Sequence, residues 1–269
     1  MVDTPIITLT TDFGLKDPFA GLMKGVIIRI NPNAKIIDLT HNIQRHDIFE
    51  ASQVIAMSYT YFPPKSIHVA IVDPGVGSMR RPLLVVTEDH YFIGPDNGIF
   101  TPVFDAQASH FFKVYHLTSS HYFLPMSGST FHGRDIFAPV AAWLSKGVES
   151  HKMGEQIDDY MKIASPKPEI IDNKTITGEI VSIDNFGNAI SNIKRDDLEK
   201  IAPADSQEKC SVMFNNHHIQ LVKYYANNEN NTLCSIINSF GHIELFVFRQ
   251  SASEKYNVKI GDTLTVRLA

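Results

Sequence analysis

Ile67-His68-Val69-Ala70-Ile71-Val72-Asp73-Pro74-Gly75-Val76-Gly77-Ser78-Met79-Arg80-Arg81 runs from an apolar stretch into an acid, a Pro-Gly-Val-Gly turn and two arginines. An apolar strand that ends this way has the anatomy of a site at the C-terminal end of a strand in an α/β sheet. Glycines there permit positive φ and close approach of backbone to a ligand. Arg80 follows Asp73 by seven residues, so a turn between them can bring guanidinium and carboxylate onto one small group. A purely structural loop has the same local grammar.

The elements on either side fit such a sheet. Ile6 to Thr11 reads as a β-branched strand. Asp17-Pro18 reads as N-cap and first residue of a helix that runs to about Ile30. Ile36 to Leu39 is strand-like, and Ile48 to Tyr61 has helical periodicity that Pro63-Pro64 ends. Leu83 to Thr87 and Tyr91 to Ile93 form a hairpin around Glu88-Asp89-His90. Phe111 to Leu117 is another strand, and Arg134 to Ser145 a helix closed by Gly147. Repeated strand–helix units of this kind predict a mostly parallel sheet with helices on its faces.

The pattern changes at Ser165-Pro166-Lys167-Pro168, where two prolines in a polar stretch favour an extended linker. Beyond it come short strands: Thr175 to Ile183, Cys210 to Phe214, His218 to Tyr224, Thr232 to Ile236, Ile243 to Phe248 and Thr263 to Leu268. Asn215-Asn216 and Gly261-Asp262 read as turns, and Asp196 to Ile201 as a short helix. The expected class is therefore α/β. It comprises an N-terminal α/β domain at 1–164, a linker at 165–174 and a smaller β-barrel-like domain at 175–269.

Composition narrows the function classes. The 269 residues are 43% hydrophobic, enough for buried cores. Net charge is −5 with no block of like charges, so nothing suggests a nucleic-acid surface and no nucleic-acid partner is expected. No apolar run reaches the ~20 residues of a membrane helix. Met1-Val2-Asp3-Thr4 leads directly into a strand, so no signal peptide is expected. Cys210 and Cys234 lack metal-type spacing, which suits reduced thiols in a cytoplasmic chain, although one disulfide between them stays open.

Several short motifs stand near strand ends. In Thr10-Thr11-Asp12-Phe13-Gly14, the Asp12 carboxylate either receives both hydroxyls of a ribose or caps a turn. Gly94-Pro95-Asp96-Asn97-Gly98 reads as a structural turn. In Ser129-Thr130-Phe131-His132-Gly133-Arg134-Asp135, His132 lies at a helix N-terminus, where the local dipole favours a neutral imidazole; a packing histidine is the alternative. Asp184-Asn185-Phe186-Gly187-Asn188 offers carboxylate, carboxamide and aromatic face, or a plain β-turn. Ser239-Phe240-Gly241, followed by Glu244 and Val247, can set polar groups beside an adenine edge. No metal-ligand spacing, Walker loop, complete GxGxxG or GxSxG element occurs.

Taken in order, these six segments closely resemble the S-adenosyl-L-methionine (SAM) hydroxide adenosyltransferases, adenosine-forming SAM hydrolases related to the fluorinases and chlorinases. The resemblance runs nearly the whole chain. It implies the two-domain fold just described and a homotrimer with the ligand between the N-domain of one subunit and the C-domain of the next. It also implies a catalytic set matching Asp73, Arg80 and His132. Substrate contacts are implied at Asp12, Asp73, Asn188, Ser239, Glu244 and Val247, with Asp184 and Phe186 lining the site. SAM is then the substrate and neither cofactor nor metal is required. Halogenating relatives carry hydroxyl and aromatic groups in place of the Asp73 turn, and the fluorinase has an extra loop for which no room exists between Phe104 and Phe111. The alternatives are a chloride-using SAM halogenase and a non-catalytic SAM or adenosine binder.

Overall fold

The computed structural model describes residues 4–108, 111–125, 128–203, 210–228 and 230–268. Met1-Val2-Asp3, on which the signal-peptide expectation rests, and residues 109–110 between Phe104 and Phe111 lie outside the described residues. The chain divides into two compact units, 1–164 and 165–269.

In the first unit, seven strands form one sheet: β1 (Ile6–Thr11), β2 (Lys35–Thr40), β3 (Ile67–Ile71), β4 (Pro82–Val86), β5 (Tyr91–Pro95), β6 (Lys113–Leu117) and β7 (Gly154–Ile157). Their order is β2-β1-β3-β5-β4-β6-β7. The first four in that order are parallel, and the β5–β4, β4–β6 and β6–β7 pairings are antiparallel. The sheet is thus mixed rather than mostly parallel. The short 87–90 connection makes β4 and β5 a hairpin, since a parallel pair needs a long crossover.

Both faces are covered. Helices α1 (Phe19–Ile30), α2 (Ile48–Ser58), α3 (Thr101–Ala106) and α4 (Ala138–Ser145) connect the strands. Ile67, Val69 and Ile71 of β3 share a core with Met23 and Ile27 of α1 and with α4. The alternate residues Ala70 and Val72 face Ala51 and Ile55 of α2 and Val103 of α3. This two-sided burial explains the unbroken apolar run. A fully buried side chain such as Ile55 or Val69 contributes about 1.5–3 kcal/mol relative to exposure.

The α1 N-terminus sits one residue later than expected: Pro18 is its cap and no side chain caps it. The helix expected from Arg134 opens instead with a π-turn over Gly133–Phe137 before α4. A side chain at Gly133 would crowd Phe131 at 3.1 Å and Met23 at 3.2 Å.

The second unit holds β8 (Glu169–Asp172), β9 (Thr175–Ile183), β10 (Ala189–Lys194), β11 (Cys210–Phe214), β12 (His217–Val222), β13 (Leu233–Ile237), β14 (His242–Val247) and β15 (Thr263–Leu268). A ring of seven strands, β9-β10-β14-β13-β12-β11-β15, closes back on β9, so the unit is a closed barrel. β8 pairs with β9 from outside the ring, so the 165–174 stretch contains a strand. Asn215 and Asn216 take φ of 49° and 62°, as a two-residue hairpin turn requires. Short helices α5 (Arg195–Glu199) and α6 (Ala252–Tyr256) complete the unit. Cys210 and Cys234 are free and buried. Among the described residues, no helix is long and apolar enough to cross a membrane.

Candidate active site

β1 and β3 are parallel neighbours, with Thr11 opposite Ile71. Asp12 and Asp73 therefore leave the same edge of the sheet from adjacent strands. Asp12 Oδ2 accepts the His46 backbone N–H at 3.0 Å. The turn after Asp73 is tied internally: Val76 N–H donates to the Asp73 carbonyl at 3.2 Å, and Ser78 N–H to that of Gly75 at 3.1 Å. Gly77 has φ of 80°, and a Cβ there would lie 2.8 Å from the Ser129 carbonyl oxygen. This close approach brings the turn against the segment that leads to His132.

The turn returns Arg80 onto Asp73. Arg80 Nε–H donates to Asp73 Oδ1 at 2.9 Å, and Nη2 donates to Oδ2. Nη2 also contacts His132 Nδ1 at 2.8 Å. The Arg80 and Asp73 side chains expose only 8% and 5% of their surface. An Arg–carboxylate pair this buried holds its geometry against solvent. The guanidinium carbon stands 5.4 Å from the Phe137 ring centre. Arg80 Nη1 is buried with no hydrogen-bond partner among the described residues.

Guanidinium has no lone pair to offer, so Arg80 is the donor and His132 Nδ1 the acceptor. His132 is therefore neutral, with its proton on Nε2. Burial first, and the Arg80 cation second, hold its pKa below the ordinary value, against the opposing pull of Asp73 and Asp135. The surrounding pocket, about 280 Å³, is lined by Asp12, His46, Asp73 and His132 with Phe13 and Phe131 as apolar walls. Phe13, Phe19 and Phe131 meet edge to face at 5.3–6.0 Å.

The barrel unit has its own cavity of about 510 Å³, lined by Asp184, Phe186, Asn188, Tyr225, Val247 and Arg249 among others. Asp184 Oδ1 accepts the N–H groups of Phe186 at 2.9 Å and Asn188 at 2.8 Å, and Oδ2 accepts Asn188 Nδ2 at 3.0 Å. It thereby fixes the turn that presents Asn188 and leaves the Phe186 ring 76% exposed. Glu244 is buried, with Oε1 taking the Tyr225 hydroxyl at 2.9 Å and Oε2 taking Asn238 Nδ2 at 3.0 Å. Burial raises the Glu244 pKa, against the pull of those two bonds, and burial followed by the Glu244 hydrogen bond raises that of Tyr225. Ser239 stands on the exposed turn after β13, apart from the cavity lining.

Comparison with known proteins covers most of the chain. A model of the SAM hydroxide adenosyltransferase N-terminal domain matches residues 7–154, and one of the C-terminal domain matches 178–265. The chain belongs to the SAM hydroxide adenosyltransferase family. Among relatives, the (R)-S-adenosyl-L-methionine hydrolase of Methanocaldococcus jannaschii is 36% identical over 97% of this chain and 95% of its own. A fluorinase from Actinoplanes is more distant, at 25% identity over 98% of each chain. A crystal structure of an uncharacterized conserved protein from Thermotoga maritima superposes with a TM-score of 0.87, at 32% identity over 97% of this chain and 99% of that one.

In this family member, Asp12, Asp73, Arg80 and His132 meet in the first unit. Asp184, Phe186, Asn188 and Val247 meet at the cavity of the second, with Glu244 behind it. The set has one buried cation, one carboxylate paired with it and one neutral imidazole, which suits the orientation of a small polar group. The sequence reading passes over Tyr225, whose hydroxyl is held by Glu244 nineteen residues away, and over His46, which becomes significant only through its contact with Asp12. Neither carries a local signal. Among the described residues, no group of three or more His, Cys, Asp or Glu side chains is placed to hold a metal.

Proposed function

We propose that this protein hydrolyses SAM to adenosine and L-methionine by in-line attack of water on the ribose C5′. The observation that carries the reading is the buried Arg80 guanidinium. Asp73 and His132 hold two of its nitrogens, and Nη1 is left unspent. A fixed cationic donor at a strand end stabilises hydroxide character as it develops on an attacking water. His132, with its proton on Nε2, is a second donor to that water. Asp73 is then the member of the set with lone pairs left to take the proton.

The step balances. The water oxygen bonds to C5′, the C5′–S bond breaks, its electron pair goes to sulfur and one water proton is released. The leaving group is a neutral thioether, so much of the acceleration is positional. Asp12 is suited to the ribose hydroxyls. Asn188, Val247 and the cavity around them are suited to the adenine, with Glu244 acting through Tyr225. A homotrimer is the assembly in which the two sets of contacts would serve one SAM, and the buried free thiols Cys210 and Cys234 suit a cytoplasmic location.

Incubation of the purified protein with SAM, chloride and excess EDTA tests this, with products separated by chromatography. Adenosine and methionine in equal amounts are expected. 5′-Chloro-5′-deoxyadenosine would show a halogenase, unchanged SAM a binding protein, and turnover restored only by a divalent metal would overturn the metal-free mechanism.

A further inference from the structure

Asp73 and Arg80 sit at the two ends of a turn, and the residue just outside each end is held by Asp96 or Asn97, with Asp159 also accepting from the Arg81 guanidinium at its carboxylate (2.7 Å) and carbonyl (2.8 Å). Before the turn, the Val72 carbonyl accepts the side-chain amide of Asn97 at 2.8 Å. After it, the Arg81 carbonyl accepts the Asp96 backbone N–H at 2.8 Å. The Arg81 guanidinium in turn donates to Asp96 Oδ2 from Nε at 2.9 Å and from Nη2 at 2.7 Å. Adjacent residues thus grip both feet of the loop that carries the reacting groups.

Local chemistry explains why side chains do this. β3 and β5 are parallel up to Val69 opposite Ile93. Pro95 then has no N–H with which to continue the ladder. The Asn97 backbone N–H turns back to the Pro95 carbonyl at 3.0 Å, so its side-chain amide takes the Val72 carbonyl in its place, one residue before Asp73, while Asn97 Oδ1 accepts the Ile99 N–H at 3.2 Å. Asp96 is itself fixed: it is buried, and its Oδ1 accepts the Met161 N–H at 2.7 Å. The pair is therefore anchored to the body of the unit independently of the loop.

We infer that Asp96 and Asn97 are positioning residues that set the spacing of Asp73 and Arg80, and through Arg80 the contact with His132. The inference rests on the hydrolytic reading of the site. Neither residue lines the pocket, so their effect falls on the geometry of the attacking water and not on the binding of SAM.

Asn97→Asp is the sharpest test. It keeps the shape and the acceptor for Ile99, and replaces the donor to Val72 with a carboxylate oxygen. At saturating SAM, kcat is expected to fall on the order of tenfold, because small misplacements of reacting groups cost that much or more, with KM within about twofold of wild type. Asp96→Asn, which keeps size and one acceptor but removes one of the two carboxylates facing Arg81, the other being Asp159, serves as a second variant. Thermal melting checks that each is folded.

A readout independent of turnover is the ¹⁵N shift of His132 Nδ1. It reports the hydrogen bond from Arg80, and is expected to move toward that of a free imidazole in Asn97→Asp. If folded variants keep both the wild-type kcat and the wild-type shift, the inference is overturned. If wild-type protein does not hydrolyse SAM, the functional reading fails and the shift alone decides whether Asp96 and Asn97 hold the loop: a move supports it and no move refutes it.

Discussion

His132 is the residue whose charge state decides whether its contact with Arg80 is made. Its Nδ1 accepts from Arg80 only while the ring is neutral. A second proton would put an N–H against a guanidinium N–H and two cations side by side. Burial and Arg80 both push its pKa below the ordinary 6.5, so the neutral form persists to lower pH than for a free histidine. The sign follows directly: kcat should be flat from about pH 8 down to about pH 6.5 and fall at more acid values, as the required base-form ring is protonated. His132→Gln, whose carbonyl can still accept from Arg80 but does not titrate, should have lower kcat and an acid limb shifted to lower pH. A wild-type kcat that already drops tenfold between pH 8 and 6.5, or an unshifted limb in His132→Gln, would contradict the neutral-acceptor assignment.

At the scale of elements, β3 and β5 approach so closely that their contact tolerates no side chain at Gly94. A Cβ there would lie 2.3 Å from the Ala70 carbonyl oxygen and 3.0 Å from the Phe100 ring. Gly94→Ala must therefore part the two strands whose ends carry Asp73 and Asn97, at a cost of about 1–3 kcal/mol. Gly21, in α1, has nothing within 4 Å of its missing Cβ, and Gly21→Ala should instead stabilise by about 0.5–1 kcal/mol through helix propensity. Opposite shifts in denaturant midpoint are the expected result; equal midpoints would refute a strand contact too tight for a Cβ at Gly94.

Legibility in the sequence divides along the same physical line. β9 matches its expected span, because alternation over nine residues is a strong local signal. β10 was hidden by Ser191 and Asn192. Both are polar yet buried, satisfied by the Ile243 carbonyl of β14 and the Glu179 N–H of β9, the two strands beside β10. α3 is six residues long, too short for periodicity to mark. The π-turn beside His132 packs its Gly133 against Phe131 and Met23, contacts that no local pattern announces. The Asp73-to-Arg81 spacing was readable because both groups lie on one turn. Its bracket by Asp96 and Asn97 depends on strand order and was not.

For the whole molecule, the two units each carry only some of the groups assigned to the proposed reaction. The first holds the Asp73–Arg80–His132 set and Asp12; the barrel holds Asn188 and the cavity around it. If the assembly is a ring in which each SAM is served by the first unit of one subunit and the barrel of the next, the two contributions can be supplied by different chains. Asp12→Ala and Asn188→Ala proteins should each be nearly inactive alone. Unfolded and refolded together in equal amounts, they should form mixed rings. Half of the first units then carry intact Asp12 and half of the barrels intact Asn188, so random mixing restores roughly a quarter of the wild-type rate. In a site built within a single chain, every site in the mixture still carries one lesion and no activity returns. Native mass spectrometry confirms that mixed rings have formed. Mixed rings without recovery would refute the shared site, and a monomer in the same spectrum would refute the ring itself.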